Sequence, residues 1–107
     1  MPPTVEQHLK TIDEQGFTIV QIEPELNRRL ADTVKRLEDE LDVQPKMNRA
    51  EGYNTKRMYN LLAKDRAFWE MPVHQQVLPL VNGVLDKWAL LSGTTAMNIG
   101  PGEDLQG

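Results

Sequence analysis

The first pattern along the chain is an apolar face at helical spacing. Val5, Leu9 and Ile12 recur every three or four residues and would lie on one side of a helix. Thr4 precedes them as a typical N-cap residue, and Gly16 follows them where a helix would end. The pattern therefore predicts a short amphipathic helix between Thr4 and Gly16.

The clearest helix is predicted to begin at Pro24, because proline suits the first turn of a helix. Its apolar residues are three or four positions apart and form one continuous stripe. They are Leu26, Leu30, Val34, Leu37 and Leu41. Ahead of this helix, the segment FTIVQ at 17–21 is rich in β-branched residues and predicts a strand.

A polar stretch at 42–56 separates these elements from a second set of helices. It contains a proline, a glycine and two asparagines, and it is longer than most connections, which predicts a functional loop, a lid or a linker. A helical pattern resumes at 64–70, and a further helix is expected over 74–86. Pro79 and Gly83 weaken that last helix, so we expect it to be short or kinked. Its inward residues are predicted to be Val77, Leu78, Val81, Val84 and Leu85.

The last apolar run, at 90–99, alternates with a period of two residues and predicts a long strand. The face expected to join the core carries Leu91, Gly93, Thr95, Met97 and Ile99. The other face carries the small or polar residues Ser92, Thr94, Ala96 and Asn98 together with Leu90. This second face fits the wall of a wet pocket, and it fits equally the solvent side of an antiparallel sheet. A Gly-Pro-Gly turn at 100–102 should then launch a second strand.

Composition limits the classes of function. The chain has 107 residues, enough for one domain, and a net charge of −4, which argues against binding to nucleic-acid phosphates. No segment is apolar enough to predict a membrane span or a secretory signal. Cysteine is absent, so disulfides, thiolate metal sites and cysteine nucleophiles are excluded. We expect a cytoplasmic protein with no nucleic-acid or membrane partner.

Few residues offer recognisable chemistry. His8 and His74 have no neighbouring carboxylate in a metal-ligand spacing, so His74 is expected to be a capping or surface residue and His8 a surface residue. No catalytic residue or metal ligand is assigned. Arg57, where the polar stretch ends, could form bidentate hydrogen bonds with the carboxylate of a ligand, or it could form an ordinary surface ion pair. The composition of the chain does not distinguish between these two alternatives.

Three segments, in this order, resemble the phytanoyl-CoA dioxygenase family. They are RMYNLLAKD at 57–65, MPVHQQVLPLVNGVL at 71–85 and LLSGTTAMNIGPGEDLQG at 90–107. The resemblance covers nearly the whole chain and is weakest over 42–56, while the segment at 69–72 departs from the family pattern. Members of this family are Fe(II)- and 2-oxoglutarate-dependent oxygenases. The resemblance therefore implies hydroxylation of a small-molecule or acyl substrate.

The fold that the resemblance implies is an α+β domain, in which N-terminal helices precede the first strands of a double-stranded β-helix (jelly roll). Residues 1–107 would form the incomplete N-terminal part of one such domain, with helical wrapping to about residue 87 and a first long strand at about 88–100. Iron would be held by a His-x-Asp pair expected to follow the last segment and by a more distant His. This chain alone is therefore expected to bind neither Fe(II) nor 2-oxoglutarate.

The resemblance also implies residues that face the cosubstrate. Arg57 matches a basic position that can contact 2-oxoglutarate, and Ala96 and Asn98 lie on the strand that lines its pocket. The unpaired strand predicts self-association of the chain. The alternative is a non-catalytic, acidic α+β interaction module whose sheet edge is completed by a partner chain.

Overall fold

The computed structural model describes residues 2–103, which form four α-helices, a 3₁₀ helix and a two-stranded antiparallel ribbon. In chain order the elements are α1 (Val5–Gln15), α2 (Pro24–Glu40), β1 (Thr55–Met58), α3 (Leu61–Lys64), the 3₁₀ helix (Arg66–Glu70), α4 (Leu78–Val84) and β2 (Ala96–Ile99). The mixed α+β class predicted from the sequence is confirmed. None of the helices within this range has the length and apolar character required to cross a bilayer.

The boundaries of α1 follow directly from its end residues. Thr4 and Gln7 form a capping box, in which the Thr4 hydroxyl accepts from the Gln7 N–H at 3.2 Å and the Gln7 side chain accepts from the Thr4 N–H at 2.8 Å. At the other end, Gly16 adopts a left-handed conformation with φ 86°. The first predicted helix is therefore confirmed.

The stripe of α2 forms one wall of the core. Leu26 and Leu37 are buried, as the spacing predicts. Leu41 is the exception, because the helix ends at Glu40 and the Leu41 side chain is 52% exposed. The core cluster itself consists of Leu37, Met58, Leu61 and Phe68. It therefore joins α2 to β1, α3 and the 3₁₀ helix.

One local prediction is wrong, and another is confirmed only in part. The segment 17–21 belongs to no helix or strand of the structure, and its Phe17 and Ile19 side chains are 58% and 75% exposed. The helix expected at 64–70 is split instead at Asp65, which has an extended backbone. The Asp65 carboxylate accepts from the Ala67 N–H at 2.8 Å and so caps the 3₁₀ helix that follows.

The helix predicted over 74–86 is shorter than expected, and the side of it that is buried is not the predicted side. Leu80 is the buried residue of α4, whereas Leu85, predicted to face inward, is 67% exposed. Gly83, one turn from Leu80, lies against Leu9 so closely that a Cβ there would be 2.8 Å from a Leu9 methyl carbon. Packing against α1 therefore selects the inward side of α4.

The long strand predicted at 90–99 is also corrected. Only Ala96–Ile99 forms a strand, and Leu90 is 92% exposed. Its partner, β1, lies within the part of the chain that was expected to be loop and helical wrapping. The predicted core face is wrong as well, since Met97 and Ile99 are 58% and 66% exposed while Ala96 packs against the core cluster.

The turn after β2 makes a close backbone contact that only glycine permits. The Gly100 N–H donates to the Asn54 carbonyl at 2.7 Å, and a Cβ on Gly100 would lie 2.6 Å from that oxygen. We expect Gly100→Ala to lower the free energy of unfolding by about 1–3 kcal/mol, because backbone must move to accept the methyl group. Urea denaturation measures this loss.

Gly93→Ala is the matched control, because no atom lies within 4 Å of its added Cβ. That variant should keep its stability to within about 0.5 kcal/mol. Equal losses at Gly93 and Gly100 would contradict the close contact described for the turn.

Candidate functional site

The three predicted cosubstrate residues lie on the ribbon but not on one face. In the antiparallel register Arg57 pairs with Met97, and the neighbouring pairs are Met58 with Ala96 and Lys56 with Asn98. Since successive side chains of a strand point to opposite faces, Arg57 and Met97 share one face. Ala96 and Asn98 lie on the other.

The face with Ala96 and Asn98 is directed at α2. Ala96 packs against the core cluster, and the Asn98 amide donates to both carboxylate oxygens of Glu38, at 3.1 and 3.2 Å. Glu38 lies on α2 and is only 7% exposed. A groove of about 600 Å³ remains between the helix and this face of the ribbon.

The face with Arg57 is directed away from α2. The Arg57 Nε donates to the carbonyl oxygen of Glu51 at 3.1 Å, and its Nη1 lies 3.0 Å from the Met97 sulfur. These contacts fix the half-buried guanidinium along the ribbon. Because Met97 and Ile99 are mostly exposed, this face combines a positioned cation with an apolar surface.

A carboxylate in the turn after β2 stabilises the end of the ribbon at which β1 begins and β2 ends. Glu103 accepts from the backbone N–H groups of Tyr53 and Asn54, at 3.1 and 2.6 Å, and from the Thr55 hydroxyl at 2.7 Å. Thr55 is fully buried. The sequence assigned this turn only a structural role through its glycines and missed the Glu103 contact, because the partners lie far away along the chain.

Both histidines are buried, so the prediction of surface positions is wrong. His8 is 6% exposed, and its Nδ1 lies 2.8 Å from the Thr18 hydroxyl. His74 Nδ1 accepts from the Gln76 N–H at 3.0 Å, which agrees with the capping alternative. Its Nε2 therefore carries the proton and faces the Glu23 carboxylate at 2.8 Å.

The hydrogen bond from His74 lowers the pKa of the Glu23 carboxyl group, and a bond from the Glu23 backbone adds to the effect. A lowered pKa in the folded state means that this stabilisation is present above the unfolded pKa and is lost as the pH falls through the folded pKa. We expect the stability advantage of the wild type over Glu23→Gln to shrink between about pH 6 and pH 3. Urea denaturation across this range measures it.

Glu25→Gln is the control for this pH series. Glu25 lies in the same exposed helical turn, and its side chain forms no hydrogen bond or ion pair with another residue in the range 2–103. Because its side chain has no contact with His74, this variant should lack the loss that the His74 contact predicts. If the Glu23 and Glu25 variants gave the same profile, the His74 contact would not be the cause.

A second groove is almost entirely apolar. It has a volume of about 530 Å³ and lies between the turn at 71–73, α4 and the segment 89–94. Leu85, Leu90 and Leu91 on its walls are each more than half exposed. The Thr94 hydroxyl is buried there without a hydrogen-bond partner among the described residues. The groove is therefore an uncovered apolar surface.

The described part of the chain offers no metal centre, since no group of three His, Cys, Asp or Glu residues within it could hold an ion. What it does offer is a ribbon with two different faces. One face presents a positioned guanidinium beside apolar side chains, and the other presents the Asn98 amide, which donates to a buried carboxylate of α2. No protein-family model, curated protein or solved structure matches this chain.

Proposed function

We propose that this chain is the N-terminal part of an Fe(II)- and 2-oxoglutarate-dependent dioxygenase that hydroxylates a small-molecule or acyl substrate. The proposal rests on the ordered resemblance of the segments at 57–65, 71–85 and 90–107. The structural observation that supports it most is the two-faced ribbon. A strand pair that packs on a helix with one face and leaves the other open suits the wall of a helix-wrapped jelly roll.

In this proposal Arg57 binds a carboxylate of 2-oxoglutarate through charge-assisted hydrogen bonds. Met97 and Ile99, on the same face, line the space next to it. Ala96 and Asn98 contribute differently from the sequence-based expectation, because they hold β2 against α2. The pocket wall is therefore assigned to the Arg57 face of the ribbon.

The described residues do not fit an iron site. His8 and His74, the two histidines of the chain, are buried and engaged with Thr18 and Glu23 respectively. No third ligand lies close enough to complete a group around either one within residues 2–103. In the proposed enzyme the iron ligands therefore come from other residues, and no chemical step at the metal is assigned to this chain.

The coding sequence that follows the codon for Gly107 tests the proposal directly. A His-x-Asp or His-x-Gly pair is expected within a few codons. A stop codon immediately after Gly107 in an intact gene would count heavily against the proposal.

For a protein that includes such a pair, we expect Arg57→Ala to raise the KM for 2-oxoglutarate about tenfold or more, because a charged contact to the cosubstrate is lost. Succinate formation measures the effect. Arg66→Ala is the control, since Arg66 stacks over Trp69 at 5.5 Å and lies outside the ribbon. Equal effects of the two variants would remove Arg57 from the cosubstrate site.

The alternative is a non-catalytic interaction module. The uncovered apolar groove around Leu85, Leu90 and Leu91 favours it. The ribbon favours it as well, because it has two strands within residues 2–103 and can accept a further strand at an edge. Such a module should be a monomer until its partner binds. The incomplete oxygenase domain should self-associate through the ribbon, and sedimentation of the isolated chain separates the two outcomes.

A further inference from the structure

The groove between α2 and the ribbon contains a buried carboxylate with an incomplete set of partners. Glu38 is 7% exposed, and among residues 2–103 its side chain accepts hydrogen bonds only from the neutral Asn98 amide. No cationic side chain of residues 2–103 forms an ion pair with it. A carboxylate removed from water normally has a cation or several donors beside it. Glu38 therefore leaves room for a cationic partner.

The same groove also has basic lining residues. Lys35 on α2 and Lys56 on β1 both line it, together with a second acidic residue, Asp39 on α2. Neither ammonium group forms an ion pair with another residue in the described range. The groove thus combines the buried carboxylate of Glu38 with two ammonium groups and the exposed carboxylate of Asp39.

The groove also has apolar lining residues. Ala31, Val34 and Ala96 are among them, and the groove volume of about 600 Å³ lies in the range of small-molecule sites. A short aliphatic segment would therefore contact carbon atoms on both walls, with its charged ends at Glu38 and at the two lysines.

We propose that this groove binds a small zwitterion of the amino-acid class. Its primary ammonium group pairs with Glu38, which Asn98 holds in place, and its carboxylate faces Lys35 and Lys56. A dianion such as 2-oxoglutarate would bring a carboxylate against Glu38, and a simple amine would leave the lysines without a partner. The site lies on the opposite face of the ribbon from Arg57, so it does not depend on the proposed dioxygenase function.

An NMR titration of the isotope-labelled chain tests the proposal. The probes are glycine, β-alanine, 4-aminobutyrate and 5-aminopentanoate, with butylamine, butyrate and 2-oxoglutarate as comparison ligands. We expect at least one zwitterion to shift the Asn98 side-chain amide signals in a saturable manner, about tenfold more tightly than butylamine or butyrate. Tighter binding of 2-oxoglutarate or equal binding of butylamine would overturn the proposal, as would the absence of a saturable shift with all four zwitterions.

Variants locate the binding on the groove. Glu38→Gln, which preserves the shape of the side chain, should abolish the zwitterion shifts, while Lys35→Met and Lys56→Met should each weaken them severalfold. Glu25→Gln should bind as the wild type does. Retained binding in Glu38→Gln would overturn the proposal. If Glu38→Gln does not fold, unchanged binding in both lysine variants would overturn it, and weakened binding in them would support it.

One internal competitor for Glu38 is Lys56, which lies on β1 opposite Asn98. If its ammonium group formed an ion pair with Glu38 in solution, the Lys56→Met variant would bind amines and zwitterions equally well, and it would bind both more tightly than the wild type does. That result would overturn the zwitterion assignment.

Discussion

Replacing Phe68 with alanine should lower the free energy of unfolding by about 3–5 kcal/mol, because a large side chain leaves a cavity in a small core. Phe68 is 5% exposed and packs in one cluster with Leu37, Met58 and Leu61. Domains of this size have a total stability of only about 5–15 kcal/mol. The variant should therefore unfold at a much lower urea concentration, and in the extreme case it should be unfolded without denaturant.

Phe17→Ala is the matched control for this core variant. The Phe17 side chain is 58% exposed on the unpaired segment 17–21. Its replacement should change the stability by less than about 0.5 kcal/mol. A loss at Phe17 as large as that at Phe68 would mean that the segment 17–21 is packed, as its β-rich sequence first suggested.

The helices at the front of the chain could be predicted because their signals are local. Thr4, Gln7 and Gly16 determine the ends of α1 through contacts within a few residues. The apolar stripe that begins after Pro24 determines which side of α2 is buried in the same local way. Such signals can be read without knowing the rest of the fold.

The strands could not be predicted because their pairing is distant. The segment 17–21 has the better β pattern, but no strand of the structure lies beside it. The segment TKRM, at Thr55–Met58, has little β character and becomes a strand by pairing with Ala96–Ile99. The hydrogen bonds of the partner strand therefore outweigh local propensity here.

The predicted site residues show the same limit. Alternation along β2 correctly separates Ala96 and Asn98 from Met97 and Ile99, but it does not say which side faces a helix. That choice depends on the position of α2, whose Glu38 binds Asn98. A shift of one residue in register turns every side chain of a strand to the opposite face. The alternating pattern alone therefore does not determine which face packs against the rest of the protein.

Replacing Glu103 with alanine should lower the free energy of unfolding by about 2–4 kcal/mol, because a carboxylate that accepts several hydrogen bonds is removed. Its partners are the backbone N–H groups of Tyr53 and Asn54 and the hydroxyl of Thr55. The Thr55 hydroxyl would then be buried without this acceptor, which adds a desolvation cost. Urea denaturation measures the loss of stability, and hydrogen exchange at the Tyr53 and Asn54 amides locates it.

Glu103→Gln separates the charge of this side chain from its shape. It keeps one acceptor oxygen, so it should lose about half as much stability as the alanine variant. The two amides at Tyr53 and Asn54 should exchange fastest in Glu103→Ala, while the amides of α1, far from this turn, should be unchanged in both variants. An alanine variant within about 0.5 kcal/mol of the wild type would show that the turn after β2 is held by the Gly100 backbone contact alone.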